Sequence, residues 1–313
     1  MRFFPRKILP MPDGMDTQEI RKILESARHQ HLSFHRSGKF RSLRFGDSPS
    51  NVLGEGLEFG EVRRFSPGDR VRHVHPAATS RAQELMVRKF IEPREALVLL
   101  LLDISPSMYL REKMQVALGA AGIIAASAHV QHMPLGLWTV GGSTIVELPP
   151  RSGQGHFHSV MDLLTEVLGK SEQGELTEAH RIEWRHRKLE RFLSRGSFLF
   201  VISDFIGDND TLNSAMHHDA FTWYSIPVIV QDALEYSFPI FPRHGAVVPL
   251  TDAETVEKRE IWIDRKRSLR IREKHRTRFA RLCKGFVDQH RGYAHIESPN
   301  LGRIFRSLQD TLS

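Results

Sequence analysis

The chain has 313 residues, 40% hydrophobic and 26% charged, which leaves enough apolar material for a sizeable core and sets aside disordered and fibrous classes. Lys and Arg outnumber Asp and Glu by 44 to 37, a formal net charge of +7, and the single cysteine, Cys283, excludes an intramolecular disulfide and a cysteine-rich zinc site. Residues 1–14 are broken by Pro5, Pro10 and Pro12 with no signal-peptide core behind them, and the apolar stretches 96–102 and 116–128 are too short to cross a bilayer, so a cytoplasmic protein without a membrane span is expected.

Ile20, Ile23, Leu24 and Ala27 recur at helical spacing and predict a helix over 17–31, with Asp16 or Thr17 as its cap. From 32 to 89 short alternating segments separated by glycines predict small β structure, with Ser66-Pro67-Gly68-Asp69 as a tight turn and 85–90 as a strand. Strand and helix patterns then alternate. A strand is expected at 96–102, a helix apolar nearly all round at 111–130, and a hairpin of 135–140 and 144–148 joined through Gly141-Gly142-Ser143. After a loop at 149–155 come helices at 156–168 and 181–193, a strand at 197–203 and a helix opening at Asp210 or Thr211. A strand at 221–230, a basic helix at 265–290, a short strand at 293–296 and a closing helix at 301–312 complete the pattern. This alternation predicts an α/β fold with a doubly wound, mostly parallel sheet over 96–313. Residues 1–95 read as an amino-terminal helix plus a small β-rich segment, and 234–264 as a surface β excursion.

The polar stretch Asp103-Ile104-Ser105-Pro106-Ser107 begins where the first apolar strand should end, the place where open α/β sheets bind ligands. One carboxylate and two hydroxyls are hard oxygen donors suited to Mg²⁺; the same residues also suit a helix cap. Asp204 repeats the layout at the end of the second apolar strand, and two aspartates on neighbouring strands would face one crevice. Ser152 is a candidate for a further hydroxyl. The phosphate loop G-x-x-x-x-G-K-[ST] and the nucleophile elbow G-x-S-x-G are both missing, which argues against nucleotide hydrolysis and a Ser-His-Asp hydrolase. The pairs His73/His75, His156/His158 and His217/His218 lack a third zinc ligand at a recognisable spacing. Residues 265–291 hold eleven Lys or Arg against Glu273 and Asp288, read as a solvated helix face.

Asp103-Ile104-Ser105-Pro106-Ser107-Met108 resembles the D-x-S-x-S element of von Willebrand factor A-like domains, the first part of their metal-ion-dependent adhesion site. Ahead of it, Gly56-Leu57-Glu58-Phe59, Val62 through Arg72, Thr79-Ser80-Arg81 and Val87-Arg88-Lys89-Phe90 with Glu92 resemble domain-of-unknown-function family fifty-eight, commonly encoded beside MoxR-type AAA+ ATPases. Asp252-Ala253-Glu254-Thr255 resembles a late feature of that family. One departure is Val74-His75-Pro76, where the family has an Ile-Asp-Trp-like stretch. The resemblance implies a von Willebrand A-like, Rossmann-like fold and a protein-binding role without catalysis. It implies Mg²⁺ or another divalent cation held by Ser105 and Ser107, with Asp103 and Asp204 partly through water and Ser152 standing for the threonine that often completes the site. A MoxR-like ATPase or a client protein would supply an acidic ligand. The alternatives are a metal-dependent phosphatase or hydrolase, and nucleic-acid binding through 265–291; neither a nucleic-acid partner nor a membrane span is expected.

Overall fold

The computed structural model describes residues 3–5, 17–34, 58–69, 71–91, 96–141, 146–169, 189, 192–193, 196–206, 223–252, 258–289 and 291–313. The chain forms two units, Ser42–Glu95 and a larger one made of Met1–Arg41 with Ala96–Ser313. In chain order the elements are β1 (Phe3–Pro5) and α1 (Thr17–Ala27), then β2 (Glu58–Arg64), α2 (Pro76–Ala82) and β3 (Met86–Ile91) of the smaller unit. The larger unit resumes with β4 (Val98–Asp103), α3 (Lys113–Val130), β5 (Leu135–Val140), β6 (Glu147–Arg151), α4 (Gln154–Gly169) and β7 (Phe198–Ser203). It ends with β8 (Tyr224–Val230), α5 (Ala233–Tyr236), β9 (Ala246–Asp252), β10 (Lys258–Ile263), α6 (Arg265–Asp288), β11 (Ala294–Ile296) and α7 (Leu301–Leu312).

The central sheet has the order β11-β8-β7-β4-β5-β6. Neighbours are parallel except β6, which runs antiparallel to β5. Strands β4, β5 and β7 are buried along their whole length, which is why they read as continuous apolar runs rather than alternating ones. Their residues still divide by parity. Val98, Leu100, Leu102, Phe198, Phe200 and Ile202 pack with α1, α3, α4 and α7 on one face. Leu99, Leu101, Leu199 and Val201 pack with Leu189, Leu193 and Phe286 of α6 on the other. Helices thus cover both faces of a mostly parallel sheet.

Helix α3 is apolar and buried almost all round, with 83% of its length inside the fold. At 18 residues it is longer than the 116–128 stretch seen in the sequence and apolar enough to cross a bilayer on composition. Its packing against the sheet and α1 fits the expected lack of a membrane span. Its Gly122 lies so close to α1 that a Cβ there would stand 3.0 Å from Ala27 Cβ and 3.0 Å from Leu24 Cδ2. Just beyond α1, the Leu32 amide donates to Ser127 Oγ at 2.8 Å and Gln131 Nε2 donates to Leu32 O at 2.7 Å. Residues 17–34 therefore belong to the α/β unit. The reading that grouped this helix with the β-rich segment is corrected by these contacts.

Strand β6 also differs from expectation. It includes Pro149-Pro150-Arg151, which the sequence placed in a loop. Prolines are tolerated on an edge strand and at a bulge: neighbouring N–H groups point to opposite sides, so one of the two faces the solvent border, and both fall where the β5–β6 register shifts between Leu135 and Leu137. The region 234–264 supplies the β9–β10 hairpin, joined by β1 in a three-stranded sheet over Phe238, Val248 and Ile263.

In the smaller unit β2 and β3 form an antiparallel pair. The turn Ser66–Asp69 carries Gly68 at φ +106°, and Arg63 grips Asp69 with two nitrogens at 2.9 and 2.6 Å. That hydrogen bond, with one from the Ser66 amide, holds the Asp69 carboxyl below its ordinary range. His75, the departure noted above, caps α2 by accepting the Ala78 amide on Nδ1 at 3.2 Å. The expected helix opening at 210–211, most of the helix at 181–193 and the stretch Ala253–Thr255 lie outside the described residues.

Candidate functional site

Parallel strands β4, β7 and β8 bring their carboxyl ends to one edge of the sheet. Strands β4 and β7 are direct neighbours, with Leu102 opposite Ile202, so Asp103 and Asp204 come to that edge side by side. The chain leaves β4 for β5 on one side and leaves β7 for β8 on the other, which makes this gap the topological switch point of the sheet.

Asp103 is wholly buried. Its Oδ1 accepts the Ser105 amide at 2.8 Å and its Oδ2 accepts the Ser203 hydroxyl at 2.6 Å. Ser203 Oγ in turn accepts the Phe205 amide at 3.0 Å, and Phe205 sits at φ +50°, a left-handed conformation uncommon outside glycine. Ser105 starts a 3-10 turn at Pro106–Tyr109 but makes no side-chain capping bond. Its hydroxyl lies 3.1 Å from that of Ser107. The cap reading thus loses its main bond, and the two hydroxyls converge on each other. Gly141, which follows β5 at φ +82°, forms one wall: a Cβ there would stand 2.6 Å from Asp103 Oδ1 and 2.9 Å from Ser105 Cβ.

Asp204 is buried beside Lys113, the first residue of α3. Lys113 Nζ donates to Asp204 Oδ2 at 2.7 Å and to Glu235 Oε1 at 2.6 Å. All three side chains are at most 4% exposed. The Ile206 amide donates to Asp204 Oδ1 at 3.1 Å. Glu235 Oε2 accepts the Asp232 amide at 3.0 Å, while the Asp232 side chain caps α5, a reciprocal capping box. Arg278 Nη2 donates to Glu235 O at 2.8 Å, tying this corner to α6.

The electrostatics follow from one buried ammonium among three buried carboxylates. Burial, reinforced by the charge of Asp204, pushes Asp103 up to about 6 despite the hydrogen bonds from Ser203 and Ser105. Burial pushes Glu235 up to about 7, against the pull of Lys113. Burial acts upward on Asp204 too, but the Lys113 charge and the bonds from Lys113, Ile206 and Ser107 outweigh it and hold that carboxyl low. Burial disfavours the Lys113 ammonium, yet Asp204 and Glu235 more than offset it and raise its pKa. Lys113 thus neutralises Asp204, and the other two carboxylates are left to hold protons or meet another cation.

Asp103, Ser105, Ser107 and Asp204 are gathered at this edge. Ser152 is not. Arg151 pairs with Leu135 at the start of β5, whereas Asp103 pairs with Val140 at its end, so Ser152 lies exposed at the opposite edge of the sheet. The candidacy of Ser152 is corrected on that ground: β6 runs antiparallel and carries the loop away. The sequence reading missed Lys113, Ser203, Glu235 and the role of Gly141. Asp232-x-x-Glu235 after a strand is a capping-box spacing that would have drawn attention to Glu235. Nothing local marks Lys113 as buried. Among the described residues no group of three or more His, Cys, Asp or Glu is placed to hold a metal, so any ion at this edge needs the serine hydroxyls. His156 is engaged with Leu135 O at 2.7 Å rather than in a histidine cluster.

Residues 61–282 match the family described as protein of unknown function DUF58. The chain belongs to the DUF58 family. The DUF58 match runs from β2 to α6 and so contains the whole constellation from Asp103 to Glu235. Similar chains include uncharacterized proteins of Mycobacterium bovis and Mycobacterium tuberculosis, each 29% identical over 253 residues, covering 77% of this chain and 75% of the relative.

Proposed function

We propose that this DUF58 chain is a non-enzymatic, metal-dependent protein-interaction module, with a von Willebrand A-like larger unit that acts as an adaptor for a MoxR-like AAA+ ATPase or its client. The observation that carries the reading is the pair of hydroxyls, Ser105 and Ser107, 3.1 Å apart beside two buried aspartates at the switch point. The donor set fits Mg²⁺ or another divalent cation. Three buried carboxylates against one ammonium leave two negative charges to balance, the charge such an ion carries. Both oxygens of Asp103 and of Asp204 already accept hydrogen bonds, so the serines are the direct donors and the aspartates act partly through water. Bound there, the ion supplies an open position for a carboxylate of the partner.

The test has two arms. Calorimetry should show one divalent-cation site in the wild type and none in Asp103→Ala. Pull-down from the native cell should recover a partner with Mg²⁺ that is lost with Asp103→Ala or on chelation. Capture of the same proteins under every condition would sink the metal bridge. Phosphoester turnover that dies with Asp103→Ala would favour the phosphatase alternative.

A further inference from the structure

Among the described residues Lys113 is the one Lys or Arg that is buried. It opens α3, and its ammonium is held from two sides, at 2.7 Å by Asp204 beyond β7 and at 2.6 Å by Glu235 in α5. All three side chains are at most 4% exposed, so solvent screens these charges weakly. Asp204 also accepts from the Ile206 amide at 3.1 Å and from the Ser107 hydroxyl. Lys113, Ile206 and Ser107 together take three of the roughly four acceptor sites of a carboxylate. A dication approaching the remaining site would meet an ammonium already seated on the same group. Ser107 is also the hydroxyl that lies 3.1 Å from Ser105, so the carboxylate withheld by Lys113 borders the two serines directly. An ion at those serines has Asp103 to draw on, while Asp204 stays with the lysine.

We propose that Lys113 is a positioning residue that sets the metal preference of this edge: by withholding Asp204 from the ion it selects Mg²⁺ over Ca²⁺. The inference rests on the metal-site reading above and deepens it. Ca²⁺ takes about six to eight oxygen ligands and is held best by several carboxylates, whereas Mg²⁺ keeps several waters and is bound through one or two. Two hydroxyls and a single available carboxylate suit the second ion. The wall at Gly141 acts in the same direction, because its backbone stands so near Asp103 that a Cβ would lie 2.6 Å from Oδ1, which leaves little room for a larger ligand shell. The waters that such an ion keeps are the positions a partner's carboxylate would displace.

The experiment is calorimetric titration of the full chain with Mg²⁺ and with Ca²⁺, on the wild type and on the double variant Lys113→Met/Glu235→Gln. The second substitution leaves no glutamate buried without its ammonium. The wild type should favour Mg²⁺, and the ratio of Ca²⁺ to Mg²⁺ affinity should rise at least about tenfold in the variant as Asp204 becomes a direct ligand. Loosened packing alone would weaken both ions together and leave the ratio where it was. A second measurement needs no variant. Mn²⁺ in place of Mg²⁺ reports its bound waters through water-proton relaxation, and the wild type should keep about three or four, the octahedral six less the two serines and at most one carboxylate. A wild type that prefers Ca²⁺, two or fewer waters on Mn²⁺, or a ratio that does not rise in a folded double variant would each overturn the role of Lys113. A wild type that binds neither ion would instead overturn the metal site itself, and this inference with it.

Discussion

Gly141 shows how narrow the tolerance is at the Asp103 edge. Its φ of +82° strains any other residue, and the Cβ of an alanine would press on Asp103 Oδ1 and on Ser105. Gly141→Ala should cost about 1–3 kcal/mol in urea denaturation and weaken divalent-cation binding together with it. Glu235 gives a pH signature. Its carboxyl is raised from 4.5 to about 7 in the folded chain, so the stability it contributes is full below 4.5 and is lost as pH rises through 7. Asp204, held low, acts in the opposite sense and only below 3.8, outside that window. Asp103, raised from 3.8 to about 6, acts in the same sense as Glu235, so metal-free protein should lose stability as pH rises from about 4 to 7, on the order of 3 kcal/mol from each group, and Glu235→Gln should make the profile shallower without abolishing it. At this scale the sequence was half legible. Asp103 and Asp204 could be found because each breaks an apolar run at a strand end. Glu235 was marked only by its capping-box spacing from Asp232 and Lys113 by nothing local, because their pairing joins residues 122 positions apart in the chain.

Elements were legible where period and length spoke together. The apolar runs of β4 and β7 and the apolar stripe of α7 were read within a residue or two of their observed ends. Helix α2 was not, because its seven residues carry no apolar period and its cap is a histidine rather than a serine or aspartate. Strand β6 was misplaced because two prolines mark a loop everywhere except on a sheet edge. The close approach of α1 and α3 has its own test. Gly122→Leu would drive a side chain into Ala27 Cβ, which cannot rotate away, and should cost about 1–3 kcal/mol in thermal or urea unfolding. Gly155, in the first turn of α4 with open space around it, is the contrasting site: Gly155→Ala should be neutral to about 1 kcal/mol stabilising.

For the larger unit as a whole, the segment 17–34 is part of the core rather than a leader to it. Ile20, Leu24, Leu32 and Phe34 are at most 9% exposed. At about 1.5–3 kcal/mol each they contribute roughly 6–12 kcal/mol, comparable to the entire stability of an ordinary domain. A chain lacking residues 1–34 should bind a hydrophobic dye and resist folding, as read by ANS fluorescence and limited proteolysis; a truncated chain that melts within a few degrees of the full one would contradict this. The sequence assigned the helix to the wrong unit because amphipathic spacing shows which face is sticky but not what it sticks to. The two borders of the central sheet carry a last consequence. On one side lies β6 with its adjacent prolines, and on the other lies β11, only three residues long. Neither offers a run of free amides on which a foreign strand could zip up. Extension of the central sheet by an added strand is thereby disfavoured at both borders.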